Sequence, residues 1–280
     1  MERWLVTGAT GLVGTALCDR AAGAGATLYK ASLRGGGGSY PADLGTRGEI
    51  SSLLDALQPD RVFHLGAVAS PAEVAMNVEA ARRVNVLGST EIVQWCARNR
   101  RWLLFASTDQ VFDGESGPYS EGDLAKPVTE YGRMKAEVER LVVDSGGLVA
   151  RLGWVLNDTA RGRPDFVQKS LAHLLAGHSI EAVIDEKRTP VRLSEVVEII
   201  CGLAAGNQSG LIHVAGPDHV TPYELILSEA MRAGLPTERV QPGTRANLAP
   251  RGRPRDLRLN TARLHALKCE VRKGALARAS

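Results

Sequence analysis

Tyr131 and Lys135 stand four residues apart in YGRMK, and a Ser107-Thr108-Asp109 cluster lies upstream in STDQVFDG. On a helix, residues four apart share a face. This spacing therefore gathers a phenol and an ammonium into one small region. A free Tyr has a pKa of about 10, too high for easy proton exchange at neutral pH. A neighbouring cation favours the phenolate and lowers that value. The pair is thus suited to protonating the alkoxide left when a hydride reduces a ketone. A short hydroxyl at the end of a nearby strand can bond the carbonyl oxygen and align it. Thr108 fills that role, with Ser107 as the alternative. Tyr-x-x-x-Lys is also a common pair on a solvated helix surface, so its meaning depends on what surrounds it.

TGATGLVG sets Gly8, Gly11 and Gly14 three residues apart, between the first strand and the first helix. Glycines let a backbone turn tightly and approach a ligand closely. The amides opening the helix then face a pyrophosphate. Gly8, Thr10, Gly11, Leu12 and Val13 are the candidate contacts. A tight turn with no ligand is the alternative, but the place of the motif in a βαβ unit favours dinucleotide binding. At the end of the second strand, an acid would bond the ribose 2′-hydroxyl of NAD. LYKASLR carries none. Ser32 and Arg34 stand where a 2′-phosphate would lie, and a hydroxyl and a guanidinium suit a phosphate. The segment favours NADPH, with NADH as the alternative. Asp43 and Leu44 follow the next turn, where Asp43 can approach the adenine edge. Gly66 and Ala67, after the strand RVFHL, complete the cofactor set. With a nicotinamide in place, Lys135 can also hold its ribose hydroxyls, so Tyr131 and Lys135 belong to both the catalytic and the cofactor sets.

The elements that must position these residues alternate strand and helix. Strands are expected at 4–7, 27–31, 61–66, 102–107, 148–154, 180–184 and 211–215. Helices are expected at 15–22, 50–57, 74–98 (one mostly continuous run), 131–143, 166–176, 193–203, 222–231 and 262–267. Such alternation predicts an α/β fold, a Rossmann-type doubly wound parallel sheet with a small C-terminal substrate-binding lobe. Residues 1–153 are expected to form the dinucleotide-binding core, completed by later segments, and 154–280 mainly the lobe. GGGG at 35–38 reads as a solvated loop.

The 280 residues, 44% hydrophobic, supply a sizeable core. A net charge of +3 points neither to nucleic acid nor to a membrane surface. No apolar run approaches the roughly 18 residues of a membrane span. MERWLVTGATG runs straight into a strand and lacks the apolar segment of a signal peptide. Cys18, Cys96, Cys201 and Cys269 form no CxxC pair, which fits reduced thiols in the cytoplasm. The six histidines show no HExxH spacing, and no metal is expected.

TGATGLVG, STD and YGRMK, in that order, resemble the motif set of the extended short-chain dehydrogenase/reductase superfamily. Within it the chain is most similar to the dTDP-4-dehydrorhamnose reductases, through STDQVFDG, PYSEGD, YGRMKAEVE, RLGWV, DEKRTPVRLSEVVE, HVAGPDHVTPYEL and RPRDLRL. The resemblance spans nearly the whole chain. It implies reduction of a nucleoside-diphosphate 4-keto-6-deoxy sugar by a cytoplasmic monomer or homodimer. Two other functions share the resemblance: a non-catalytic regulatory subunit like that of methionine adenosyltransferase, and a related epimerase or ketoreductase.

Gln110 departs from the family, whose reductases carry Tyr there and whose related dehydratases carry Glu. An amide cannot act as a carboxylate base, so dehydration is disfavoured, and the identity of the sugar is left open. Thr15 stands where some relatives bind a bridging magnesium through an acid. Asp109 is expected to reach a sugar hydroxyl or Trp154. Trp154 follows the sixth strand and either packs on the sugar or fills the core. Arg253 is the preferred clamp for the sugar-nucleotide pyrophosphate, among Arg161, Arg163, Arg251, Arg255 and Arg258, most of which read as a solvated basic tail. Arg188 and Pro190 shape the substrate loop, and Asn85 ties a helix to the sheet.

Overall fold

The structure, a computed structural model, describes residues 1–23, 25–159, 164–246 and 254–267. Its first half runs β1 (Arg3–Thr7), α1 (Leu12–Ala21), β2 (Thr27–Ser32), β3 (Tyr40–Pro41), α2 (Glu49–Leu57), β4 (Arg61–His64), α3 (Pro71–Met76), α4 (Val78–Arg82), a π-helical turn (Arg83–Gly88), α5 (Ser89–Asn99), β5 (Trp102–Thr108) and a 3-10 turn (Asp109–Val111). There follow α6 (Glu130–Asp144), β6 (Leu148–Leu152), β7 (Trp154–Leu156), α7 (Phe166–Leu175), β8 (Ile180–Val183), β9 (Pro190–Arg192), α8 (Leu193–Ala205), β10 (Gly210–Val214), α9 (Pro222–Arg232), β11 (Val240–Gly243) and α10 (Ala262–Ala266).

Seven strands form one parallel sheet in the order β10-β6-β5-β4-β1-β2-β3. The order reverses at β1, which pairs with both β2 and β4. Ligands bind in open α/β sheets at such a switch point, beyond the carboxyl ends of the strands. Helices cover both faces, so the strands are apolar on both sides. Trp4 and Val6 of β1 pack with α1 and α8, while Leu5 packs with α2 and α5. Leu104 of β5 faces the first layer, and Leu103 and Phe105 face the second. β10, late in the chain, closes the sheet beside β6. Outside the sheet, β8 pairs with β11, and α7 and α9 pack over them through Leu174, Ile226 and Ala230. This is the small lobe. β7 pairs with β9 at the junction.

Two local expectations differ from the structure, and a third gains detail. The helix expected over 74–98 is broken. Asn77 leaves the helical region and caps α4 by accepting from Ala80 N, and the π-helical turn then interrupts the regular ladder. The strand expected to run to Trp154 stops at Leu152, where Gly153 intervenes, and Trp154 opens β7. Gly35, Gly36, Gly37 and Gly38 all have positive φ, so this loop needs glycine at each place rather than merely tolerating it.

Candidate active site

The glycine turn forms a cradle at the switch point. A Cβ on Gly8 would lie 2.7 Å from the Cα of Gly66, and one on Gly14 would lie 2.1 Å from the Gly8 carbonyl oxygen. Only glycine lets β1, α1 and the end of β4 meet this closely. Gly11 caps α1 with no side-chain hydrogen bond of its own, and among the described residues the amides that open the helix stay available to an anion. Thr10 is exposed, and Leu12 and Val13 are half-buried beside it. Behind the cradle, Gly66 N donates to Thr7 Oγ1 at 3.2 Å, and Thr7 in turn meets His64 Nδ1 at 2.7 Å. Ser89 Oγ donates to Asn85 O at 2.7 Å, so His64 Nε2–H donates to Ser89 Oγ at 2.8 Å. Burial keeps this imidazole neutral, with a pKa of about 3. Asn85 accepts from Val68 N and donates to Val68 O, tying the π-helical turn to the loop after β4.

Leu44 packs on this loop, because a Cβ on Gly66 would lie 2.9 Å from its Cδ1. Ala67 is half-buried next to it. Asp43 lies at the same edge, but its carboxylate accepts from Gly45 N at 2.7 Å and from Thr46 Oγ1 at 3.2 Å. Ser32 is buried at the end of β2 and shares a 2.9 Å hydrogen bond with Ser39. Arg34 is exposed and makes no ion pair among the described residues.

The proposed chemistry converges next to the cradle. A cavity of about 190 Å³ is lined by Ala69, Ser107, Thr108, Asp109, Gln110, Tyr131, Leu152, Gly153, Trp154, Val155 and Arg188. These are the carboxyl ends of β5 and β6, the start of α6, and one arginine from the lobe junction. Thr129 caps α6 by accepting from Gly132 N at 3.0 Å. Gly132 then lets the helix press on the 3-10 turn, since a Cβ there would lie 2.1 Å from Gln110 O. Tyr131 and Thr108 then line the same cavity.

Ser107 is removed from the contest for the carbonyl. Its hydroxyl donates to Glu139 Oε1 at 2.5 Å, and Arg151 holds both oxygens of the same carboxylate, at 2.9 Å from Nε and 2.8 Å from Nη2. Thr108 is freer. It donates to Asp109 Oδ1 at 3.2 Å, long for an O–H···O bond, and a hydroxyl rotor can turn away from it.

The Tyr131 phenol and the Lys135 ammonium have no hydrogen-bond partner among the described residues. Lys135 Nζ lies 4.1 Å from the Phe105 ring centroid. Here the proton balance differs from the sequence expectation. Burial pushes Tyr131 above its ordinary value, helped by the Asp109 charge, and brings Lys135 down to about 7. Desolvation outweighs the attraction that the four-residue spacing suggested.

Asp109 lines the same cavity as Trp154 and is held by the scaffold. Its second oxygen is taken by Arg188 Nη1 at 2.6 Å, and Arg188 Nε donates to the buried Glu186 at 2.9 Å. Burial raises Asp109 against the pull of this guanidinium. Asp109 therefore reaches Trp154 only through Arg188, whose Cζ lies 6.0 Å from the Trp154 ring centroid. Trp154 is half-buried, with Phe166 on its other flank. Arg258 serves the scaffold, donating to Asp256 and Gly117 O. Arg161, Arg163, Arg251 and Arg253 lie outside the described residues. Sequence reasoning missed Gly132, Glu139, Arg151 and Glu186. Gly132 lies between Tyr131 and Lys135, and Glu139 follows one turn on, a hint of a packed rather than solvated helix.

A second hollow, of about 230 Å³, lies between α1 and α8 and shares Leu12 with the candidate cofactor set. No helix among the described residues is long and apolar enough to cross a membrane.

With this geometry in view, comparison with known proteins decides the family. The profile of the RmlD substrate binding domain matches residues 2–274. The chain belongs to that family. Among curated relatives it is 26% identical to methionine adenosyltransferase 2 subunit beta of Bos taurus, over 95% of this chain and 82% of the relative. It is also 26% identical to the dTDP-4-keto-6-deoxy-D-glucose reductase of Streptomyces niveus, over 86% of this chain and 82% of the relative. Among solved structures, a hypothetical dTDP-4-dehydrorhamnose reductase from Sulfolobus tokodaii superposes with a TM-score of 0.85 at 25% identity, covering 94% of each chain.

Proposed function

We propose that this protein is an NADPH-dependent reductase of a keto group on a nucleoside-diphosphate sugar of the 4-keto-6-deoxy class. The observation that carries the reading is that Thr108 and Tyr131 line one cavity, at the same sheet edge as the glycine cradle. The cradle fits a dinucleotide, since it is open only because no Cβ is present. NADPH, when bound, supplies the hydride. Gly8, Thr10, Gly11, Leu12 and Val13 hold its pyrophosphate, and Ser32 and Arg34 its 2′-phosphate. Asp43, Leu44, Gly66 and Ala67 flank the adenosine half. Lys135 bonds the nicotinamide ribose.

Thr108 turns its hydroxyl from Asp109 to the keto oxygen and aligns it. Tyr131 is protonated at neutral pH, as an ordinary tyrosine is, and burial raises its pKa further. It therefore holds a proton to give as the oxygen gains charge, and Lys135 favours the phenolate that remains. Gln110 offers a donor and an acceptor but no base, so loss of water from the sugar is not assisted. Trp154 covers the sugar face. Arg253 is assigned to the pyrophosphate of the substrate.

A panel of nucleotide 4-keto-6-deoxy sugars, followed by NADPH absorbance, tests the reading. Turnover of at least one member is expected. A second reading is a nucleotide-binding subunit without catalysis, favoured by the likeness over 95% of the chain to a methionine adenosyltransferase subunit. Tight NADPH binding with no turnover across the panel would select it.

A further inference from the structure

Arg188 is held in an unusual way for a loop arginine. Its backbone is fixed by a two-way hydrogen-bonded bridge to Val220. Its side chain is only 14% exposed, in the wall of the cavity that Thr108 and Tyr131 line. A guanidinium carries five N–H donors in a rigid fork. Asp109 takes Nη1 and Glu186 takes Nε, so two carboxylates fix the plane. Nη2 has no partner among the described residues, and it is not a sealed atom. A strut joining the 3-10 turn to β9 needs the two carboxylate bonds. It does not need a free amino group at the cavity.

Building on the reductase reading, we propose that Arg188 is a substrate-binding, specificity-determining residue. Its Nη2 donates to a hydroxyl oxygen on the sugar ring whose keto group meets Thr108 and Tyr131. Thr108 donates to one oxygen of Asp109 and Arg188 to the other, so a single carboxylate separates the two groups. The hydroxyl contacted therefore sits on a carbon near the keto carbon, most directly the adjacent one. Trp154, beside the guanidinium, covers the same ring. The site takes a keto-sugar that keeps this hydroxyl. It rejects the deoxy analogue, because the analogue leaves a desolvated donor unpaired.

The test crosses three proteins with two substrates. Native, Arg188→Met and Arg188→Lys proteins are assayed on two nucleotide keto-sugars that differ only in the hydroxyl next to the keto group. NADPH oxidation gives kcat/KM, and tryptophan fluorescence gives the Kd of the corresponding sugar-nucleotide alcohols without turnover. Native protein is expected to prefer the hydroxylated sugar by about ten- to a hundredfold, the range of a hydrogen bond to a charged donor. Arg188→Met, which also strands Asp109 and Glu186, should lose activity on both sugars but more by that factor on the hydroxylated one, so the preference disappears. Arg188→Lys should recover part of it. Equal losses on both sugars would mark Arg188 as a strut and overturn the proposal. A native protein indifferent to the hydroxyl would overturn it without any variant, so misfolding cannot hide the answer. Alcohol binding that follows the expected pattern, with no turnover of any sugar, refutes the reductase reading and leaves Arg188 assigned. Turnover without the pattern does the reverse.

Discussion

Gly132→Ala adds one methyl group between α6, next to Tyr131, and the 3-10 turn. The new Cβ would lie 2.1 Å from Gln110 O and 2.9 Å from Pro127 Cβ. Close C···O approaches in proteins stop at about 3.3 Å, so α6 must withdraw from the 3-10 turn by about 1 Å. The energetic cost is modest. Overpacking costs about 1–3 kcal/mol, and alanine in a helix returns about 1 kcal/mol relative to glycine. The net loss is about 0–2 kcal/mol, a fall in Tm of a few degrees. Catalysis should suffer far more, because a misplacement of about 1 Å costs about a hundredfold in rate. Tyr131 moves with the helix, while Thr108 stays with the sheet. The assay pairs a thermal melt with NADPH oxidation on a true keto-sugar substrate. Gly122→Ala is the control, since a Cβ there meets nothing within 4 Å. A folded Gly132→Ala protein that turns over at the native rate would refute the claim that this glycine positions Tyr131.

Tyr131→Phe keeps the ring and removes the proton, so turnover should drop by about a hundredfold or more with NADPH affinity unchanged; full turnover would exclude the assigned acid. Arg34→Ala should weaken NADPH and spare NADH, and a titration showing equal losses would unseat Arg34 from the 2′-phosphate. Lys135→Met should change how stability depends on pH in the cofactor-free protein. The folded chain holds Lys135 at about 7 against an ordinary 10.5, so the unfolded chain binds the extra proton between those values. The cost of burial is full below pH 7 and lifts as pH rises towards 10.5, at up to about 1.4 kcal/mol per pH unit. Denaturant midpoints for native and variant proteins should converge across that window, and a constant difference would show that Lys135 is not desolvated.

What local sequence could carry, it carried. The glycine turn, the Tyr131–Lys135 spacing and the alternation of strands with helices are patterns within a few residues of one another, and each implies its geometry directly. The losses came where distant segments meet. β3 is two residues long and exists only because Ala31 and Ser32 pair with it. β7 and β9 pair across 33 intervening residues, and neither has a periodic signal of its own. Helical periodicity in 74–98 survived the insertion of a π-helical turn, because the same apolar face returns after it. Gly132 looked like any helix glycine until the backbone of Gln110 was found against it.

In the ligand-free chain the proton balance of the pair runs opposite to the sequence expectation, for a more general reason. Spacing on a helix reports proximity, whereas a pKa reports the competition between proximity and desolvation. In this site burial raises the phenol and lowers the ammonium together, since it penalises charge of either sign. Other buried ionic groups nearby escape that penalty by pairing. Glu139 is held by Arg151 and Ser107, and Arg188 by Asp109 and Glu186. Such pairs fix position, and removing one partner would strand the other charge at a cost of several kcal/mol. Tyr131 and Lys135 alone among these are left without hydrogen-bonded partners, and their protonation is therefore sensitive to what enters the cavity. The absence of a partner sets Tyr131 and Lys135 apart from the groups that hold the site, while Thr108, with only long bonds to Asp109 and from Gln110 N, is less firmly held than Ser107 with its 2.5 Å bond to Glu139.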